Sequence, residues 1–336
     1  MEGSRYALRE VRDADFESIA SLHNAVDPDR PYSAPSLRRQ SEGLRRPGQD
    51  PRAIVATDVH SGEIVGYALL YYQPNEDDPG RPWIEGEVLP ARQGQGIGTL
   101  LYDAMLAEAR SRGATGVRSS VRENSPAGKA FLKRRSFEER RRSWRSRLEL
   151  AGADTSRLPE LERALNSAGI RVTTLAREGT NDPAVQRGVY EMSERTARDV
   201  PHVGTYRAVP FEEFRKFFLD DPNLLADAWF LAKQGDRYVG ISYGGREPAQ
   251  PAVLLQFYTA TLREFRHRGI ALTLKLKLIE YGKNHGFARI ETSNDSKNVA
   301  MWTLNQSLGF RKINEMIRVE KLFEETTAAP GPGSDV

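Results

Sequence analysis

Two short glycine-bearing segments recur about 173 residues apart in this chain of 336, and the sequence around one can be laid over the other. The first is Val88-Leu89-Pro90-Ala91-Arg92-Gln93-Gly94-Gln95-Gly96-Ile97-Gly98-Thr99-Leu100-Leu101, and the second is Thr261-Leu262-Arg263-Glu264-Phe265-Arg266-His267-Arg268-Gly269-Ile270-Ala271-Leu272. With Gly96 on Gly269, the same offset carries Ser136-Phe137 onto Gly309-Phe310, and Asn124 onto Asn298 with one residue of slippage. Three landmarks in register point to a duplicated unit, and the chain is long enough for two domains that each bury a core.

Each copy reads as the same succession of elements. In the first, Arg5 to Val11 is a strand, and a helix starts near Asp13. Strands follow at Ala53 to Thr57, Ile64 to Tyr72 and Ile84 to Leu89, the last running into the glycine loop. Ile97, Leu100, Leu101, Ala104 and Met105 recur at helical spacing until Gly113, then come strand Val117 to Val121, helix Pro126 to Arg134 and strand Phe137 to Leu148. The second copy repeats this with strand Arg171 to Leu175, helix Asp182 to Arg198, and a hairpin of Ala228 to Ala232 with Tyr238 to Tyr243. It continues with strand Val253 to Thr259, helix Ile270 to Tyr281, strand Ala288 to Thr292, helix Val299 to Ser307 and strand Arg311 to Val319. The expected division is a first α/β domain at 1–150, a connecting segment at 151–168 with a helix over Leu158 to Leu165, a second domain at 169–325, and a disordered Pro-, Gly- and Ala-rich tail at 326–336.

Composition narrows the chemistry. There is no cysteine, which excludes disulfides, thiolate metal sites and a cysteine nucleophile and fits a reducing compartment. The five histidines are scattered without metal-ligand spacing, so no metal centre is expected. The longest apolar stretches are far too short to span a bilayer, and Met1 to Asp15 lacks a signal-peptide core; a cytoplasmic protein is the expectation. The arginine run from Arg134 to Arg147 reads either as a solvated strand face or as a patch that attracts the phosphates of nucleic acid or of a cofactor, and Glu138 and Glu139 inside it favour the former, so a nucleic-acid partner is not expected.

A strand that turns through glycines into a helix aims several backbone N–H groups, and the positive end of the helix dipole, at one point. Gly94, Gly96 and Gly98 leave room there for a pyrophosphate; Gly269 and Ala271 keep the tightest positions small in the second loop, where Arg266 and Arg268 add charge. Neither loop has the nucleoside-triphosphatase pattern, and a dinucleotide fingerprint belongs after the first strand rather than the fourth.

The order of elements, with Gln93-x-x-Gly96-x-Gly98 and Arg266-x-x-Gly269-x-Ala271, resembles the GNAT superfamily of acyl-CoA N-acyltransferases. The second hallmark, an asparagine, a short helix and Gly-Phe, is met by Asn298 and Gly309-Phe310, and more loosely by Asn124 and Ser136-Phe137. The tandem layout is similar to the mycothiol synthases of that superfamily. The resemblance implies two tandem domains, each a mixed, mostly antiparallel splayed sheet flanked by helices. It implies acetyl-CoA as cosubstrate and a primary amine, of a small molecule, as acceptor; a noncatalytic acyl-CoA sensor is the alternative. The backbones of Gln93, Gly94, Gln95, Gly96, Ile97 and Gly98, and of Arg266, His267, Arg268, Gly269, Ile270 and Ala271, would hold CoA, so that each copy binds one molecule. Asn124 and Asn298 would contact the cofactor or cap helices.

Many members place a tyrosine in the last helix to protonate the thiolate, but those positions are Leu132 and Asn305. A base on the strand before the loop is available only in the first copy, as Glu85 and Glu87, which otherwise sit on an exposed strand face. The second copy has Tyr258 there as its one candidate proton donor. Because Asn298 and Gly309-Phe310 are intact, and a water relay can replace a base, the second copy is the expected seat of turnover.

Overall fold

The computed structural model describes residues 4–45, 48–73, 76, 78–201 and 205–323. In the first copy β1 (Tyr6–Glu10) leads through α1 (Phe16–Val26) and α2 (Ala34–Gly43) to β2 (Arg52–Asp58), β3 (Ile64–Tyr71) and β4 (Trp83–Val88). After the first glycine loop come α3 (Ile97–Ser111), β5 (Gly116–Arg122), α4 (Pro126–Lys133) and β6 (Glu138–Glu149). The connecting helix is α5 (Leu158–Ser167). The second copy runs β7 (Ile170–Thr174), the short α6 (Leu175–Glu178), α7 (Pro183–Ala197), the short α8 (Phe211–Phe214), β8 (Leu224–Gln234), β9 (Arg237–Arg246) and β10 (Val253–Thr261). It closes with α9 (Ile270–Asn284), β11 (Arg289–Asp295), α10 (Val299–Ser307) and β12 (Arg311–Leu322). The tail expected to be disordered lies outside the described residues. Among the described residues no helix is long and apolar enough to cross a membrane.

Two local details depart from expectation. Helix α2 was not anticipated: its sequence is polar, but Ser33 caps it by accepting from Ser36 N–H, and Pro35 fits the first turn. Leu175 starts a helix instead of ending a strand, because the Thr174 hydroxyl accepts from Arg177 N–H.

The helices after the two loops set each core. Ile97, Leu101 and Met105 of α3 are buried against β2 to β4, and Ile270, Leu274 and Leu278 of α9 against β8 to β10. Close approach is allowed by a glycine on the strand beneath: a Cβ on Gly66 would lie 2.9 Å from both Ile97 and Leu101, and one on Gly240 2.5 Å from Ile270.

Among the described residues twelve strands form one sheet, ordered β1-β2-β3-β4-β5-β12-β6-β11-β10-β9-β8-β7. The copies have exchanged their last strands: β12 lies on β5 and β6 on β11, with β6 and β12 antiparallel at the centre. The duplication offset acts here as an approximate two-fold axis. The pair Arg318–Arg141 maps onto the pair Arg145–Asn314, and the bulged residues Ile313 and Arg140 map onto each other. The stretch 1–150 is therefore not closed on itself, since its last strand is bounded on both sides by strands of the other copy.

Buried charge explains the exchange. Arg118 on β5 faces Glu320 on β12 (Nε–Oε1 3.2 Å), while their counterparts are Glu291 on β11 and Arg147 on β6 (2.8 Å). The two ion pairs are equivalent in place and opposite in sign. Were each last strand returned to its own copy, Arg147 would face Arg118 and Glu320 would face Glu291. Like charges held together out of water cost several kcal/mol, so the exchanged pairing wins.

The arginine run is thus no solvated face at its centre. Arg141 and Arg145 are 5% and 8% exposed, and they pair with Asp295 and Glu291 of the other copy.

Candidate active site

Each copy contains a wedge. β4 and β5 are hydrogen-bonded in parallel only at Trp83 and Arg118, and β10 and β11 only up to Gln256 and Thr292; beyond those points the strands part toward the glycine loop. In β10 the parting coincides with a bulge between Gln256 and Tyr258, which β4 lacks.

The two loops share one construction. Gly96 (φ 82°) and Gly269 (φ 79°) stand at the helix N-cap in the left-handed conformation that glycine adopts without penalty. Two positions earlier, Gly94 of the first loop corresponds to His267 of the second, a side chain held at φ 63°. The Gln93 amide donates to Val88 O, and the Arg266 Nε to Thr261 O, both at 3.2 Å. These side chains therefore tie the loop to its strand. The N–H groups of residues 94–98 and of 267–271 reach no backbone carbonyl, so both loops present free donors to a pyrophosphate. Ile97 and Ile270 are buried anchors at the helix start. Gly98 lies against Phe131, where a Cβ would be 3.4 Å from the ring.

The surroundings differ. A Cβ on Gly94 or Gly96 would meet nothing within 4 Å, whereas one on Gly269 would lie 3.5 Å from Leu161 of α5. Asp199 binds both Arg263 and Arg266, offsetting part of the positive charge the second loop was expected to offer. Arg268 turns to Glu264 O and lies over the Phe265 ring. Gln95 of the first loop accepts from the Tyr6 hydroxyl.

Asn298 caps α10, accepting from Met301 N–H at 3.3 Å. Its counterpart is Ser125, which caps α4 by accepting from Gly128 N–H at 3.3 Å, and not Asn124, which is exposed in the preceding turn. The one-residue slippage disappears once the cap is matched by role.

Glu85 and Glu87 are half-buried, which corrects the exposed-strand alternative. Both oxygens of Glu85 accept from the Ser120 hydroxyl across the wedge, at 3.0 and 3.1 Å. Burial pushes its carboxyl up to about 8, with the Glu87 charge adding to the rise and Ser120 and Arg318 opposing it. Glu87 binds His23 Nδ1 of α1 at 2.9 Å. Burial pulls the His23 imidazole down, but the Glu87 carboxylate outweighs it and the net shift is upward. His23, Ser120 and Arg318 carry no sequence signal of their own: each is brought to the wedge from a distant element.

In the second wedge, burial raises the Tyr258 phenol to about 12, and its hydroxyl donates to Thr196, the counterpart of His23, at 3.0 Å. Leu132 is buried among apolar neighbours, and the Asn305 amide donates to Asn294 at 2.7 Å, so neither occupies its site as an acid.

Similarity to known proteins follows this geometry. Over 152 residues the chain is 38% identical to mycothiol acetyltransferase of Nocardia farcinica, matching 45% of this chain and 44% of that protein. It is 30% identical over 109 residues to L-2,4-diaminobutyric acid acetyltransferase of Methylotuvimicrobium alcaliphilum, matching 31% of this chain and 63% of that one. The match thus spans less than two thirds of either relative. Among solved structures, a GCN5-related N-acetyltransferase from Sphaerobacter thermophilus superposes over 96% of this chain and 97% of its own with a TM-score of 0.70 at 22% identity. A tandem GNAT protein from the clavulanic acid biosynthesis pathway does so over 94% and 98%, also at 0.70, with 20% identity. These two likenesses concern the fold. The sequence profile of the Acetyltransferase (GNAT) family matches residues 9–137 and again 188–310, well over half of the chain, and the chain belongs to that family.

Proposed function

We propose that this protein is an acyl-CoA-dependent N-acetyltransferase that acetylates a primary amine of a small molecule, and that the first copy carries the chemistry. For the division into copies we keep 1–150 and 169–325, joined by 151–168. Acetyl-CoA would supply an acetyl group already activated as a thioester. The N–H groups of residues 94–98 and the N-terminus of α3 would hold its pyrophosphate, in the open space above Gly94 and Gly96. Starting from the ammonium form, the acceptor nitrogen gives up two protons as the amide forms and the C–S bond breaks; one ends on sulfur and the other leaves through a base.

Glu85 is that base. A carboxylate that titrates near 8 is strong enough to take a proton from an ammonium and is present in useful amount at neutral pH. Glu87, held by His23, lies beside Glu85 on the same strand and adds to the rise of its carboxyl. The single observation that carries this reading is the placement of Glu85 in the wedge, against Ser120, directly below an unobstructed loop. It replaces the sequence-based preference for the second copy, whose loop lies against Leu161 and has part of its positive charge offset by Asp199. That second loop we assign to weaker cofactor binding without chemistry.

The test is the pH–rate profile of Glu85→Gln, with an acceptor whose own amine titrates above pH 9. The wild-type kcat/KM rises with pH and levels off above about 8; the variant loses that limb and roughly 10²-fold in rate. Retention of the limb at full rate would remove Glu85 from the chemistry.

A further inference from the structure

Ser120 of β5 is paired directly with Arg318 of β12, and Arg318 directly with Arg141 of β6. Directly opposed residues in antiparallel strands point to the same face. Glu85, Ser120, Arg318 and Arg141 therefore follow one another across four adjacent strands, on the face where α1 brings His23 to Glu87. Nearly every cation of this face is matched. Arg118 and Arg81 bind Glu320 and Asp78, Arg122 binds Asp27, and Arg145 and Arg147 bind Glu291.

Among the described residues of this face, the exposed Arg311 and the half-buried Arg318 lack such a partner, and only Arg318 stands beside the wedge. Arg318 forms no ion pair or hydrogen bond with any described residue, and lies with its guanidinium 5.7 Å from the centre of the Trp83 ring. Its field reaches both Glu85 and Tyr71. Beside it, Arg141 touches Asp295 on one side, but its NH2 group is buried without a hydrogen-bond partner, in a side chain 3% exposed. Leaving a guanidinium partly desolvated and its neighbour's donor unused costs stability unless something fills the place. What fits is an anion carrying one charge, since Asp295 already answers Arg141 and, beside the wedge, Arg318 is the cation left unmatched. The planar fork of guanidinium N–H groups suits a carboxylate.

We infer that Arg318, with the free donor of Arg141, forms the subsite for a carboxylate on the amine acceptor, so that the substrate is an amino acid or a close analogue. The inference rests on the assignment of chemistry to the first wedge: Glu85 and Glu87 would face the amine while Arg318 faces the carboxylate. It also makes the wedge a shared site, because Arg318 belongs to the second copy's exchanged strand.

The experiment uses the full chain and product analogues, so that it does not depend on turnover. N-acetylated amino acids, small and basic, are titrated by calorimetry against the matching N-acetylated amino-acid amides, with wild type and Arg318→Met. The carboxylates bind wild type roughly tenfold or more tightly than the amides, and Arg318→Met removes that gap while leaving the affinity for CoA unchanged. Arg318→Lys restores part of the gap through its charge. Equal binding of acids and amides to wild type, or a gap that survives in a folded Arg318→Met, overturns the subsite. The assignment of chemistry fails separately: a Glu85→Gln enzyme with an unaltered pH profile would discard the base and leave the carboxylate preference standing.

Discussion

The two copies share a backbone and differ in what they bury behind the sheet. In the first, the side chains behind the wedge, on the α3 side, are Tyr102, Val121, Leu132 and, from β12, Val319, all at most 9% exposed. Their counterparts in the second are Lys275, Asn294, Asn305 and, from β6, Ser146, all at most 5% exposed, and the bulge in β10 turns Gln256 to join them. The second copy thus carries a linked polar interior: Lys275 donates to Gln256, Gln256 to Ser242 and Thr259, and Asn305 to Asn294. The first keeps its ionisable groups on the opposite face, beside α1, where an acceptor can meet them. One fold can hold either arrangement, so the glycine loops alone do not say where chemistry happens. The distribution of charge about the wedge is what supports the proposed assignment to the first copy.

The comparison can be broken first at the exchanged strands. Glu291→Gln leaves Arg145, Arg147 and Arg289 without their shared carboxylate, and Arg145 keeps only the Asp29 carbonyl. The expected loss is about 3–5 kcal/mol in urea unfolding. Glu320→Gln removes the equivalent acid, but Arg118 keeps Glu76 and Asp78, so the loss should be roughly half as large. Equal losses would mean that the equivalence of the two pairs, and not their separate surroundings, sets the cost. The exposed pair Arg38–Asp13 serves as control, with at most ~1 kcal/mol lost in Asp13→Ala.

The polar interior offers the next effect. Burial pulls the Lys275 ammonium down to about 7. The unfolded chain binds that proton up to about 10.4, so wild-type stability rises with pH between about 7 and 10.4 as the folded state stops having to carry the charge. Lys275→Met should therefore stabilise the protein, by on the order of 2–3 kcal/mol at pH 7 and below, with the gain fading toward pH 10. Thermal unfolding at both ends of that range decides it. A gain that does not depend on pH would mean that Met merely packs better.

The smallest effect concerns a position where the copies differ in backbone strain. Ser136 is held at φ 60°, where its counterpart Gly309 stands at φ 91°. Ser136→Gly should add about 1 kcal/mol, read as a higher unfolding midpoint. No gain would mean that local contacts of the serine already compensate its conformation.

Much of this was legible in the sequence because it is local. The period of Ile97, Leu101 and Met105, the glycines at left-handed turns and the 173-residue offset all follow from short-range chemistry, and they fixed both loops and most strands. The exchange of β6 and β12 was not legible, because each strand is compatible with a place beside either neighbour until the signs at Arg118, Arg147, Glu291 and Glu320 are read together. The site was half visible for the same reason. Glu85 and Glu87 announce themselves next to the loop, whereas His23, Ser120 and Arg318 acquire meaning only from tertiary pairing. Asn124 matches Asn298 by residue type, whereas the role of helix cap, which the two copies keep, falls to Ser125. Lys275 did leave a trace, as a charge within an apolar helix.

The claim that the first wedge is the seat of acetyl transfer is tested most directly by matched variants of the two loops. A carboxylate introduced at Gly96 or Gly269 stands against the bound pyrophosphate of one copy only. Space is open at the first position, and aspartate tolerates the left-handed backbone better than most residues, so the fold should survive. We predict that Gly96→Asp lowers kcat/KM for acetyl-CoA by roughly 10²–10³-fold, from a few kcal/mol of charge repulsion and lost N–H contacts. Gly269→Asp should leave it within a few fold of wild type, with both variants folded by circular dichroism. Loss of activity in Gly269→Asp with retention in Gly96→Asp would contradict the account and place the reaction in the second copy.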